Sequence, residues 1–131
     1  MKDKELIDKA IAASKMAYAP YSNFMVGAAL QLKNGEIIQG CNVENASFGL
    51  TNCAERTALF AAIARGEKEF VKLAVYVDRP AFTAPCGACR QVILELAPKA
   101  EILLVNNRGE VKKTSIKELL PFSFGSEDLE S

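Results

Sequence analysis

The 131-residue chain has no histidine, no tryptophan and no excess of either charge. Without histidine it cannot build a Ser-His-Asp triad, a Cys-His dyad, a HExxH zinc protease or a CxxCH haem site. Because its 16 basic and 16 acidic side chains balance, we expect no strong non-specific binding to nucleic acid or to a membrane surface. No apolar run approaches the roughly 20 residues that span a bilayer. The first residues alternate in charge and continue into an amphipathic pattern, so they predict no signal peptide.

Half of the residues are hydrophobic, and the length is typical of a single domain over residues 1–131 with a packed core. Hydrophobic periodicity and turn signals such as Asn34-Gly35 predict alternating helices and strands. The predicted helices cover 3–18, 54–65, 87–97 and 115–120, and the predicted strands cover 24–32, 36–41, 72–77, 102–105 and 110–113. This alternation predicts an α/β fold, a three-layer α/β/α sandwich around a mixed five-stranded sheet.

Three of the four cysteines stand at the starts of predicted helices. Cys86 and Cys89 open one helix with two residues between them, so their sulfurs can converge on one point, and Cys53 opens another helix. Helix N-termini favour thiolate over thiol. Three thiolates leave the fourth corner of a tetrahedral zinc ion open to water, which is typical of a catalytic site. Cys41 ends a predicted strand, and we interpret it as a small buried residue.

Cysteines at this spacing are more often metal ligands or catalytic groups than disulfide partners in a reducing compartment. We therefore expect a cytoplasmic protein. Glu55 is the candidate base, because a carboxylate beside a zinc-activated water can take its proton and pass it on. Side chains two apart in a helix point about 200° apart, so Cys53 and Glu55 can share a site only in the first turn. Asn52 as the N-cap would place them there.

Three thiolates around a zinc ion carry a net charge of about −1, which weakens the metal as a Lewis acid. A nearby cation would offset this charge. Arg56 follows Glu55 directly and is always protonated, so it is the first candidate for this supporting role. Arg90 and Gln91, just after Cys89, are further candidates.

The segments around these residues resemble the zinc-dependent cytidine deaminase family, in its small, homotetrameric, three-cysteine branch. Zinc deaminases share a glutamate that is not a ligand and a P-C-x-x-C motif, and here Cys53 stands at the histidine position of the other branch. The similarity extends along nearly the whole chain, through Pro121 and Phe124. The matching segments are MAYAPYSNF (16–24), VGAAL (26–30), GCNVENA (40–46), CAERTA (53–58) and PCGACRQ (85–91).

The resemblance implies hydrolytic deamination of cytidine and 2′-deoxycytidine to the uridines in pyrimidine salvage, with release of ammonia. It also implies that Glu55 shuttles protons and that each subunit of a homotetramer holds one zinc ion through Cys53, Cys86 and Cys89.

The resemblance further implies the substrate contacts. Asn42 and Glu44 would bond the ribose hydroxyls, and Phe24 would lie against the pyrimidine. The Ala54 N–H and the carbonyl near Ala84 would read the base. The residues expected to reach a neighbouring subunit's site are Ala46, Phe48 and Phe124. Related chains often have a tyrosine at the Phe48 position, so one hydrogen bond between subunits would be lost here.

Three alternatives stay open. A zinc module that uses the metal only for folding would need a fourth protein ligand. A deaminase acting on polynucleotides would need a basic or aromatic channel, and the chain has no basic run beyond Lys112-Lys113. A deaminase for a cytosine-containing antibiotic would carry the same metal motif, and the pair Asn42 and Glu44 argues against it.

Overall fold

A five-stranded mixed sheet forms the centre of the protein, whose computed structural model describes residues 2–129. The strands are β1 (Val26–Leu32), β2 (Ile37–Cys41), β3 (Phe70–Val77), β4 (Glu101–Val105) and β5 (Val111–Thr114). Their order is β2-β1-β3-β4-β5, with β3 and β4 parallel and every other neighbouring pair antiparallel. The predicted mixed sheet is therefore confirmed.

Helices cover both faces of this sheet. They are α1 (Lys2–Ser14), α2 (Ala54–Ala64), α3 (Gly87–Leu96) and α4 (Ile116–Leu119). Alternate residues of a strand face opposite sides of the sheet. In β1, Ala29 packs with Leu6 of α1 on one side. On the other side, Leu30 belongs to the core that includes Leu59 of α2 and Ile93 of α3. Full burial of each such large side chain contributes about 1.5–3 kcal/mol. The three-layer α/β/α arrangement is confirmed.

Two glycines allow helices to approach the sheet closely. A Cβ on Gly40 of β2 would lie 2.5 Å from the Ala58 nitrogen and 2.6 Å from the Ala54 oxygen of α2. A Cβ on Gly27 of β1 would lie 1.9 Å from the Ala10 oxygen of α1. All three distances are shorter than the non-bonded contacts that Cβ atoms make in proteins, so these two positions require glycine. Gly40 thereby sets the depth at which the first turn of α2 lies against the sheet.

The predicted helix over 3–18 was too long, since α1 ends at Ser14. Beyond it the chain turns and Tyr18 pairs with the segment after β2: its N–H donates to the Asn42 carbonyl at 3.0 Å, and its carbonyl accepts from the Glu44 N–H at 2.8 Å. The apolar spacing of Ala17 and Tyr18 could not reveal this pairing, because the partner lies more than twenty residues away. In the described part of the chain, none of the helices has both the length and the apolar content needed to cross a bilayer.

Candidate active site

Three cysteine sulfurs lie together where α2 and α3 begin. The Cys53 and Cys86 sulfurs are 3.7 Å apart, the Cys86 and Cys89 sulfurs 3.4 Å apart, and all three lie within 4.8 Å of one another. Zinc–sulfur bonds of about 2.3 Å at tetrahedral angles place sulfurs about 3.8 Å apart, so one ion can reach all three. No other cysteine or carboxylate among residues 2–129 joins this cluster.

The cluster is built from two helix starts. Cys86 is the N-cap of α3, and its sulfur accepts a hydrogen bond from the Cys89 N–H at 3.5 Å. Cys53 is the N-cap of α2, so the prediction of Asn52 as N-cap was wrong. The backbone of Asn52 is instead paired with Val43 through two hydrogen bonds of 2.9 Å, which leaves the N-cap position to Cys53.

Electrostatics show that the cluster suits a cation. A hydrogen bond from the Cys89 thiol and the adjacent Arg56 guanidinium lower the pKa of Cys53 to about 5. The pKa of Cys89 is raised by its hydrogen bond to Cys53 and by burial. A cation bound between the sulfurs would deprotonate the thiols that coordinate it. Sulfur donors at these distances fit zinc, and the arrangement leaves a fourth coordination position free of protein ligands within residues 2–129.

Arg56 lies against the sulfurs as the sequence predicted. Its Nη2 donates to the Cys53 sulfur at 3.3 Å and to the Thr51 carbonyl at 3.5 Å. Three thiolates, a divalent ion and one guanidinium sum to a formal charge of about zero, so Arg56 stands where it would offset the negative charge of a divalent ion held by three thiolates. Arg90 instead bonds the Pro85 and Leu119 carbonyls at 2.8 and 2.5 Å and thereby holds the loop before Cys86.

Glu55 is buried, with 4 % of its surface exposed. Burial raises the pKa of its carboxyl to about 7. A carboxyl with this pKa can both take up and release a proton near neutral pH, which a surface glutamate cannot do efficiently. It is therefore chemically suited to the proton-transfer role that the sequence predicted for it.

A cavity of about 230 Å³ opens beside Glu55. Its walls include the apolar side chains of Val26, Val75 and Val77. It also brings together most of the residues that the sequence singled out, namely Phe24, Asn42, Glu44, Cys53, Ala54, Glu55, Ala84 and Cys86. The cavity is also lined by Val75, Val77, Thr51 and Thr83, which no motif in the sequence had marked as site residues. The strand signal for β3 identified Val75 and Val77 as buried, but it could not show which surface they face.

Asn42 and Glu44 lie on a segment held between two others. Val43 pairs with Tyr18 on one side and Asn52 on the other, so the side chains on either side of it both reach the cavity. The Asn42 carboxamide also orders the start of β1: its Oδ1 accepts from the Val26 N–H at 2.9 Å and its Nδ2 donates to the Phe24 carbonyl at 2.7 Å. Asn42 thus has a structural task in addition to any contact with a ligand.

Phe24 is half-buried at the cavity, with the Arg79 guanidinium carbon 4.8 Å from its ring centre. The remaining predicted site residues lie outside the cavity. Phe48 and Phe124 expose 79 % and 60 % of their surfaces, and Ala46 is also exposed. Gln91 donates from Nε2 to the Phe124 carbonyl at 2.8 Å, so its amide holds the C-terminal segment rather than a sulfur.

Substitution of Arg56 tests the role of its charge. We expect Arg56→Gln to lower zinc affinity about tenfold or more and to lower activity with it, because the charge on the sulfurs is no longer offset. Arg56→Lys should keep most of the affinity. Competition with a zinc chelator measures affinity, and circular dichroism confirms folding. Equal zinc affinity in Arg56→Gln and the unaltered protein would contradict charge compensation.

Fold and site together define a class. A carboxyl buried beside three cysteines, two of them in a P-C-x-x-C turn, within a layered α/β/α fold, is the arrangement of the zinc-dependent deaminases.

Comparison with known proteins identifies the family. Residues 1–105 match the family described as the cytidine and deoxycytidylate deaminase zinc-binding region. The chain belongs to this family.

Similar proteins cover nearly the whole chain. The cytidine deaminase of Halalkalibacterium halodurans is 51 % identical over 125 residues, which is 95 % of each chain. The crystal structure of cytidine deaminase from Burkholderia pseudomallei superimposes with a TM-score of 0.91 at 54 % identity, over 95 % of this chain and 100 % of that one. A blasticidin-S deaminase of Bacillus cereus is 35 % identical over 93 % of this chain and 91 % of its own length.

Proposed function

We propose that the protein catalyses the hydrolytic deamination of cytidine and 2′-deoxycytidine to uridine and 2′-deoxyuridine, releasing ammonia, in pyrimidine salvage. The observation that carries this proposal is one cavity that brings together a buried carboxyl, Glu55, two members of the three-sulfur cluster and the polar pair Asn42 and Glu44. The relatives named cytidine deaminase at about half identity over most of the chain support the same reaction.

The metal would be zinc, one ion per chain, held by Cys53, Cys86 and Cys89. When bound there, zinc supplies a site at which the pKa of water falls towards about 7. Glu55 takes a proton from the attacking water and gives it to N3 of the pyrimidine as C4 is attacked. Glu55 then takes the proton of the new C4 hydroxyl and passes it to the amino group, so that the C4–N bond breaks, ammonia leaves and the C4 carbonyl forms. The pKa of about 7 that burial gives Glu55 suits both directions of transfer.

The cavity walls would orient the nucleoside. Phe24 lies against the pyrimidine, and Asn42 and Glu44 bond the ribose hydroxyls. The Ala54 N–H and the Ala84 carbonyl read the polar edge of the base. Holding the ring against the reacting groups in this way removes much of the entropic cost of the reaction.

The assembly would be a homotetramer of single-domain chains, each spanning residues 1–131. Exposed aromatic side chains outside the cavity support this proposal, since Phe48 and Phe124 need a partner surface to become buried. In the assembly Ala46, Phe48 and Phe124 would approach a neighbouring subunit's cavity, and Phe48 would do so without the hydroxyl that many relatives carry. Cysteines that serve as metal ligands rather than disulfide partners are typical of a reducing compartment, so the location would be cytoplasmic.

A cytosine-containing antibiotic is the second candidate substrate, favoured by the similarity to blasticidin-S deaminase. Glu44 favours the nucleoside over the antibiotic, because an ionised carboxylate in the cavity is an acceptor for sugar hydroxyls.

The expectation that polynucleotides and membranes are not partners rests on the balanced charge. A purely structural metal role would need a fourth ligand, and the cluster within residues 2–129 has three members.

The direct test follows the ultraviolet absorbance of cytidine, 2′-deoxycytidine and blasticidin S during incubation with the purified protein. We expect loss of the cytidine and deoxycytidine absorbance, little change for blasticidin S, and abolition of the reaction by a zinc chelator with recovery on adding zinc. Faster turnover of blasticidin S would favour the antibiotic, and no turnover of any compound by zinc-loaded protein would contradict the proposal.

A further inference from the structure

Glu44 receives three hydrogen bonds from the loop between α1 and β1. Its Oε1 accepts from the Tyr21 N–H at 3.0 Å and from the Ser22 N–H at 3.2 Å. Its Oε2 accepts from the Ser22 hydroxyl. These three bonds hold the pKa of the Glu44 carboxyl below its usual range, and the bond from the Ser22 hydroxyl has the largest effect. The side chain is therefore an ionised hydrogen-bond acceptor at neutral pH.

The direction of the Ser22 hydroxyl is determined by its neighbours. Its oxygen accepts from the Phe24 N–H at 3.0 Å, and its proton is given to Glu44, because an ionised carboxylate can only accept. The chain of bonds therefore runs from the Phe24 backbone through Ser22 to Glu44. Ser22 links the backbone that carries one cavity residue to the carboxylate of another.

The count of acceptor positions shows what remains for a ligand. A carboxylate offers about four lone-pair positions, two on each oxygen. Both positions of Oε1 are taken by N–H groups, and one of the two on Oε2 is taken by the Ser22 hydroxyl. With the partners that residues 2–129 supply, a single acceptor position is therefore left, on the same oxygen that Ser22 holds.

We infer that Ser22 is a positioning residue for sugar recognition: it holds Glu44 with one acceptor position of Oε2 open to a substrate hydroxyl. The inference rests on the proposed function, because a nucleoside supplies that hydroxyl. The Ser22 side chain is exposed, so its removal uncovers no part of the hydrophobic core. Its loss therefore changes ligand affinity more than the stability of the fold. Without the Ser22 hydroxyl, Oε2 loses its fixed partner, and the carboxylate, still held at Oε1 by the two N–H groups, can pivot about that oxygen and turn Oε2 away from the substrate hydroxyl.

The test compares Ser22→Ala with Ser22→Thr, which keeps the hydroxyl. Ser14→Ala is the matched control: it removes a hydroxyl that bonds the Ile11 carbonyl within α1, on the opposite face of the sheet from α2. The first readout is the KM and kcat for cytidine. The second is the affinity for uridine and for 2′,3′-dideoxyuridine, measured by calorimetry without turnover. The dideoxy compound lacks both ring hydroxyls.

We expect Ser22→Ala to raise the KM for cytidine and the Kd for uridine about tenfold, with kcat changed less than threefold. Binding of 2′,3′-dideoxyuridine should change less than twofold. Ser22→Thr should recover most of the affinity, and Ser14→Ala should match the unaltered protein in both readouts.

An equal loss of affinity for uridine and its dideoxy analogue would overturn the inference, since Ser22 would then act on the base or on the fold. Unchanged uridine binding in Ser22→Ala would overturn it too. Failure of the unaltered protein to deaminate cytidine would count against the proposed function alone. The role of Ser22 would still be tested by comparing the affinities for uridine and its dideoxy analogue.

Discussion

Replacement of Glu55 by glutamine is expected to lower kcat for cytidine about 10³-fold while the protein still binds one zinc ion per chain. Glutamine fills the same buried space but cannot take a proton from water or deliver one to the pyrimidine. The loss should appear in kcat rather than in KM, because the cavity walls that hold the nucleoside are unchanged. Absorbance assays give the kinetics, and elemental mass spectrometry gives the zinc content.

Glu95→Gln is the matched control, since it makes the same change at an exposed position of α3. It should leave kcat, KM and zinc content unchanged. If Glu55→Gln retained more than about a tenth of the activity with full zinc content, Glu55 would not be the proton carrier and another group would have to fill that role.

Replacement of Cys53 by serine is expected to remove zinc and to reduce activity to below about 1 % of the unaltered level. A hydroxyl does not ionise near neutral pH, and two sulfurs alone hold zinc far more weakly than three. Because a bound metal stabilises only the folded state, the midpoint of thermal unfolding should also fall, by about 10 °C. Zinc content, activity and calorimetric unfolding together check this expectation.

Cys41→Ser provides the comparison, because Cys41 ends β2 and is not part of the sulfur cluster. This variant should keep its zinc and most of its activity. Retention of stoichiometric zinc by Cys53→Ser, or loss of zinc from Cys41→Ser as well, would show that the metal is held by a different set of residues.

Local signals in the sequence predicted several of the contacts that the structure shows at the candidate site. Helix starts and the two-residue gap between Cys86 and Cys89 are local features, and side chains at such spacing converge whatever lies elsewhere in the fold. Arg56 follows Cys53 by three residues at the start of α2, and this spacing brings its guanidinium to the Cys53 sulfur. The strand and helix alternation likewise predicted the mixed sheet and its two helical layers.

The errors arose where distant segments pair. Asn52 has the side chain of a good N-cap, yet its backbone is bonded to Val43, so α2 begins after Cys53. Tyr18 continues the apolar spacing of α1, yet it pairs with the segment that carries Asn42 and Glu44. Periodicity reports only what each segment could do alone, and these pairings depend on how the sheet brings the segments together.

From the residues alone came the closeness of Cys86 to Cys89, that of Arg56 to Cys53, and the layered fold, because each depends on spacing within one helix turn or on the alternation of elements. The tertiary structure brought the starts of α2 and α3 together, so that the Cys53 sulfur joins the other two. The tertiary structure decided that Glu55 is buried, which raises its pKa to about 7, and that the chain around Val43 aims Asn42 and Glu44 into one cavity. It also placed Ser22 against Glu44 across more than twenty residues of sequence. Burial and pairing at such distances are properties of the packed chain, and no local pattern carries them.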